Sequence, residues 1–277
     1  MRSFTTIIGL ISLSLVPIAA LADSSEWQAV EGGRVRLISA SPAARAEPVD
    51  AGLEFDLEPG WHIYWRFPGE AGVPTEADFS GSRNIARATL RYPAPALYDD
   101  GTSMSVVYTD RVVLPIDVER ADPQRPSILE ASVRFGVCRD ICVPGEAKLT
   151  MTLDSNAALD PALQSALADA RSRIPRPQTA EPPAIVSVEP VRVAGKKHPV
   201  LTITAALSGP EADVTLFAEG APGSYNEVPR LVRRDGARAV YQMSARGLVN
   251  GPGGLPLRLT LVSGGKAVDW STTVNTP

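Results

Sequence analysis

Cysteine and histidine are scarce in this sequence, two of each among 277 residues. A zinc site built from four thiolates or three imidazoles therefore has no parts. Neither a glycine-rich phosphate loop nor a Gly-x-Ser-x-Gly elbow is present, so most catalytic chemistries lack their groups. Charge of one sign is lacking too. Twenty-seven basic against 31 acidic residues leave a formal charge of −4, which predicts no nucleic acid partner and no polybasic patch for an anionic membrane. No cofactor or metal is expected. What is there, 44% apolar and 21% charged residues, is an ordinary globular composition able to bury a core.

The one long apolar run is at the start. Arg2 precedes Ile7, Ile8, Leu10, Ile11, Leu13, Leu15, Val16 and Ile18, and the run closes on Ala20-Leu21-Ala22. This pattern predicts a secretory signal peptide over residues 1–22, cleaved near Ala22. Nothing after it approaches the run of about 20 apolar residues that a membrane span needs, so no membrane span is expected in the mature chain. Export places the two cysteines in an oxidising compartment, where a nearby pair is expected as a disulfide.

The rest reads as all-β: two immunoglobulin-like β-sandwich domains joined by a short helix and a Pro-rich linker. Residues 23–156 are expected to form the first domain, with short alternating runs at Val35–Ile38, Leu53–Leu57, Trp61–Trp65, Val106–Tyr108, Val112–Val118, Leu129–Val137 and Ala147–Leu153. Within 157–183, Asp160-Pro161 looks like a helix N-cap followed by proline in the first turn. Leu163, Ala166, Leu167 and Ala170 recur at helical spacing, and Pro175, Pro177, Pro182 and Pro183 stop the helix. Residues 184–277 hold further strand-like runs and are expected to form a second sandwich. Its histidine, His198, reads as a solvated loop residue.

The chemistry is concentrated in Cys138-Arg139-Asp140-Ile141-Cys142, at the end of a predicted hairpin. Alternation places Leu129, Ala131, Val133 and Phe135 on the core face and Cys138 on the other, where it is expected to be reachable from solvent. Three readings are open: thiol–disulfide exchange, a structural disulfide, and a soft-metal site in which Met104 joins the thiolates to hold copper(I). A disulfide closing so short a loop adds only about 2 kcal/mol in the chain-entropy model. Arg139 is placed to favour a thiolate, although Asp140 opposes it. Alternation also sets Trp61, Ile63 and Trp65 on one face, which frees His62 and Tyr64 to line the cysteine site.

Four fragments in order, Gly60-Trp61-His62-Ile63-Tyr64-Trp65-Arg66, Arg91-Tyr92-Pro93-Ala94-Pro95, Tyr108 to Pro115, and Val137 to Pro144, resemble the N-terminal periplasmic domain of the DsbD-type thiol:disulfide interchange proteins. Within these they resemble the ScsB-like branch, which is linked to copper-stress tolerance. The resemblance implies a periplasmic immunoglobulin-like domain whose cysteine pair takes electrons from a membrane-embedded DsbD/CcdA-like electron donor and passes them to periplasmic thioredoxin-fold proteins. Cys142 is then the residue that forms the mixed disulfide with a target. The resemblance further implies aromatic neighbours at positions 62 and 64 and a cap loop over the pair. Sequence order places that cap at Tyr98 to Met104, including Asp99. The family's aromatic shield is not matched there, and Met104 is expected to act as a flexible apolar cover.

Family members continue into a membrane bundle and a thioredoxin-like domain, and the sequence stops at Pro277 with neither. A relay between separate partners is therefore the expected activity, that of a protein-disulfide reductase type of oxidoreductase. The alternative is a non-enzymatic β-sandwich interaction module with a structural disulfide, or a copper(I)-binding protein, in copper tolerance or cytochrome maturation.

Overall fold

A computed structural model describes residues 24–40, 49–153 and 160–275. The expected signal peptide lies outside the described residues.

The first eleven strands are β1 (Gln28–Val30), β2 (Gly33–Ser39), β3 (Val49–Leu57), β4 (His62–Gly69), β5 (Glu76–Asp78), β6 (Ile85–Leu90), β7 (Ala96–Asp99), β8 (Met104–Thr109), β9 (Arg111–Arg120), β10 (Ser127–Cys138) and β11 (Cys142–Leu153). They form two sheets. One runs β1-β2-β3-β9-β6, and the other runs β11-β10-β4-β8-β7 with β5 on β10. Side chains alternating inward from both sheets, among them Leu37, Leu53, Phe55, Leu114, Ile63, Trp65, Leu129 and Phe135, make one continuous core.

The helix α1 (Pro161–Ser172) begins where its capping chemistry predicts: the Asp160 carboxylate accepts the Ala162 amide at 2.8 Å. Leu163, Leu167 and Ala170 pack on Ile38 and Val113, covering the outer face of the first of these sheets. Arg171 ties the helix down through Asp50 and Asp117.

The second sandwich holds β12 (Arg176–Pro177), β13 (Ala184–Val191), β14 (Val200–Ala206), β15 (Val214–Gly220), β16 (Arg230–Asp235), β17 (Arg238–Ser244), β18 (Leu255–Ser263) and β19 (Lys266–Val274), in sheets ordered β12-β19-β18-β15 and β13-β14-β17-β16. Leu201, Ile203, Tyr241, Met243, Leu257, Leu259 and Leu261 fill it. Strand β16 carries no alternation because every residue in it is exposed, and it was not expected from the sequence. His198 is exposed, as expected.

The two sandwiches meet on β4. Phe217 and Val228 of the second join the core of the first, with Phe217 5.6 Å from Trp65 between ring centroids. The next residue, Arg66, stacks over Trp65 and forks onto Glu219, Nη2 to Oε1 at 2.6 Å and Nε to Oε2 at 2.9 Å. Pairing of β4 with β8 is regular from His62 to Tyr64 and then shifts register before Gly69. Over that gap β4 is held by the second sandwich instead of by a ladder.

A buried–exposed cysteine pair at a hairpin end

Strands β10 and β11 pair in register along their whole length, ending with Cys138 opposite Cys142. Their Cα atoms are 4.2 Å apart and the sulfurs are joined as a disulfide. The two sulfurs sit in different environments because their strands do. Strand β10 is interior, with β11 on one side and β4 on the other, and Cys138 is 2% exposed. Strand β11 is at the sheet edge, and Cys142 is exposed between Ile141 and Val143, which are 76% and 39% exposed.

The expectation that Cys138 faces solvent is thus corrected. Alternation does turn it away from the main core, but the face it turns to is covered. Tyr64, Val107 and Cys138 form a small cluster of their own, against which Tyr98 packs. The outer sulfur is the accessible one.

Tyr64 is the centre of this cover. Its hydroxyl lies 3.1 Å from the Sγ of Cys138 and 3.1 Å from that of Cys142. A disulfide has no hydrogen to give, so the phenol donates. Burial first, and then the field of Asp100, push the Tyr64 hydroxyl above its ordinary value, so the proton it donates is retained. Two glycines make room for the ring. A Cβ at Gly72, whose φ is +121°, would fall 2.3 Å from Cε1 of Tyr64, and one at Gly136 would fall 3.0 Å from Cδ2. The Gly136 amide also donates to the Val73 carbonyl at 3.1 Å, which holds the 72–74 segment against β10.

His62, directly opposite Cys138 across β4 and β10, shares that face as predicted. Its ring lies 4.4 Å from Tyr98 and meets Tyr64 edge-on at 5.5 Å. It is buried, and burial holds its pKa below the ordinary value against an opposing pull from Asp100. Ile63 and Trp65 point the other way into the core, and Trp61 packs at its edge.

The remaining expected residues fall elsewhere. Met104 does not cover the sulfurs: it alternates with Val106 and Tyr108 toward the core, while Ser105 and Val107 face the site. The aromatic cover expected to be missing is supplied by Tyr98. Asp99 is exposed and accepts the Gly101 amide at 2.9 Å, and it is the neighbouring Asp100 whose charge reaches His62 and Tyr64. Arg139 pairs with Asp140 at 3.0 Å and stacks over Trp61 at 5.1 Å. Gly72, Gly136, Ser105 and Asp100 were not singled out from the sequence. The glycines are found only when strands distant in sequence close on Tyr64.

Residues 34–154 match the family described as Thiol:disulfide interchange protein DsbD, N-terminal. The first sandwich thus carries the match to the DsbD N-terminal family. The pair Cys138–Cys142 lies within the matched segment. The likeness of fold extends past the DsbD-type domain. The N-terminal periplasmic domain of ScsB from Proteus mirabilis superposes with a TM-score of 0.69 at 19% identity, covering 92% of this chain and 100% of that one. No curated protein matches the chain.

Proposed function

We propose that the protein is a periplasmic thiol–disulfide exchange protein that relays reducing equivalents through Cys138 and Cys142, from a membrane-embedded donor to thioredoxin-fold partners. The observation that carries this reading is the asymmetry of the pair: one sulfur is presented at an exposed hairpin end and its partner is buried beneath an aromatic cover. A disulfide that only stapled the turn would need neither the exposed sulfur nor the cover. Exposed Ile141 and Val143 flank Cys142 and offer apolar contact to an approaching partner.

In the reduced protein Cys142 attacks a target disulfide and forms the mixed disulfide. Cys138, held beside it by the hairpin register, then attacks Cys142 and releases the target as a dithiol. Pre-aligned sulfurs make that second step intramolecular. Tyr64 donates to whichever sulfur carries charge, and a thiolate accepts that bond more strongly than a disulfide sulfur does. The copper(I) alternative loses its third soft ligand, because Met104 faces the core.

The test is equilibration with glutathione redox buffers followed by trapping and mass measurement. A reversible two-electron couple at Cys138–Cys142, with the fold retained on reduction, is expected. A bond opened only by unfolding the protein would refute the relay.

A further inference from the structure

His62 is 2% exposed, and its Nδ1 is buried without a hydrogen-bond partner. A bare ring nitrogen in such a place costs desolvation that nothing in the oxidised protein returns. His62 and Cys138 are directly opposed across β4 and β10. Opposed residues on one face hold their Cβ atoms about 4.5–5.5 Å apart, which makes imidazole and sulfur side-by-side neighbours. Tyr98 and Tyr64 flank the ring and set its orientation. While the disulfide is closed, Cys138 has no hydrogen to offer. Reduction supplies one.

We propose that His62 is the proton acceptor for Cys138, taking the hydrogen that this thiol carries only in the reduced protein. This deepens the exchange reading and rests on it. Once Cys142 is joined to a target sulfur, the Cys138 thiol passes its proton to the imidazole. The Cys138 thiolate attacks Cys142 Sγ, the Cys138–Cys142 bond forms as the Cys142–target bond breaks, and the bonding pair leaves on the target sulfur. The imidazolium proton goes to that sulfur or to water. Across the full cycle two electrons and two protons pass from the pair to the target, and His62 ends neutral.

The surroundings suit the role. Burial keeps the resting imidazole neutral, the form that accepts a proton. Around it stand Tyr64 from its own strand, uncharged because its hydroxyl is pushed up, Tyr98 from β7, and Cys138 from β10. Asp100, in the turn between β7 and β8, supplies a negative field that steadies the imidazolium once formed.

Ellman's reagent separates the two steps in the reduced protein. Exposed Cys142 reacts first and releases one thionitrobenzoate, and Cys138 then expels the second. His62→Phe is expected to leave the first release within about twofold and to slow the second by about 10²-fold at neutral pH, the usual contribution of a placed base. Equal slowing of both steps, or an unchanged second step, overturns the inference. Imidazole nitrogen NMR of the unmutated protein is the check that needs no variant. With His198 the only other histidine, the Nδ1 resonance of His62 is expected to shift toward the hydrogen-bonded range on reduction while His198 stays put. An unmoved His62 in a reduced, folded protein refutes this role alone. A pair that cannot be reduced without unfolding refutes the exchange function and this inference together.

Discussion

The hydroxyl of Tyr64 stands 3.1 Å from the Sγ of Cys138, and the same hydroxyl reaches Cys142 at equal distance. A single donor thus serves both sulfurs, and it can follow the negative charge from one to the other as the bond opens. Tyr64→Phe keeps the ring in its slot and removes only this bond. A hydrogen bond of this kind contributes about 1 kcal/mol, so the reduced thiols of the variant should ionise less readily and react about fivefold more slowly with a small disulfide. Stopped-flow rates for the two proteins decide it, and equal rates would show that the bond has no part in the chemistry.

Tyr98 closes the site from the edge strand β7, packed on His62 and on the Tyr64–Cys138 cluster. Reduced protein should therefore alkylate at Cys142 well before Cys138. Tyr98→Ala removes an aromatic contact of about 0.5–1.5 kcal/mol beyond its buried area. The difference in labelling rate should narrow by up to about tenfold. Peptide mass mapping after short exposure to iodoacetamide reads this directly.

The aromatic slot makes a prediction about backbone as well. Gly72→Ala would place its Cβ 2.3–2.5 Å from three carbons of the Tyr64 ring, at a backbone φ of +121° that alanine disfavours. Overpacking of this kind costs about 1–3 kcal/mol. The urea midpoint should fall accordingly, and Tyr64 should lose its contact with the sulfurs. Unchanged stability would mean that the 72–74 segment yields without cost.

Stability should depend on pH through this same site, with opposite signs at the two ends. Burial lowers the pKa of His62 below 6.5 in the folded protein. Its contribution is complete above that value and is lost as pH falls through the lower folded value. Tyr64 is raised above 10.0. Its contribution is complete below that value and is lost as pH rises through the higher folded one. Urea unfolding from about pH 5 to about pH 8 should show an acid slope that His62→Phe reduces. If the variant retains the full slope, the acid sensitivity originates elsewhere.

Arg66 joins the sandwiches two residues beyond Tyr64. Its head and the Glu219 carboxylate are 14% and 12% exposed, and Thr260 accepts a further bond from Arg66 at 3.3 Å. Removing one partner of a largely buried pair costs about 3 kcal/mol. Arg66→Met should lower the thermal midpoint and increase amide exchange at the Trp65–Phe217 contact, which hydrogen-exchange mass spectrometry resolves.

The likeness to the DsbD N-terminal family and the cysteine pair were legible because they are local. A hairpin, an alternating strand and two cysteines four positions apart need no distant partner to be recognised, and the period-two rule correctly placed His62 and Tyr64 opposite Ile63 and Trp65. The same rule failed for the accessibility of Cys138. Alternation names a face, whereas cover on that face comes from β7 and β8, some thirty to forty residues away in sequence. Met104 was misplaced for a related reason: a cap located by order alone does not reveal which of its residues begins the inward phase of β8.

The sequence by itself determined the all-β architecture, the capped helix and the juxtaposition of two sulfurs, because period, capping chemistry and short-range spacing are properties of neighbouring residues. Only the tertiary structure decided which sulfur is offered and which is kept. That difference arises from strand position, interior for Cys138 and edge for Cys142, and from an aromatic ring fitted between two glycines that no local pattern brings together.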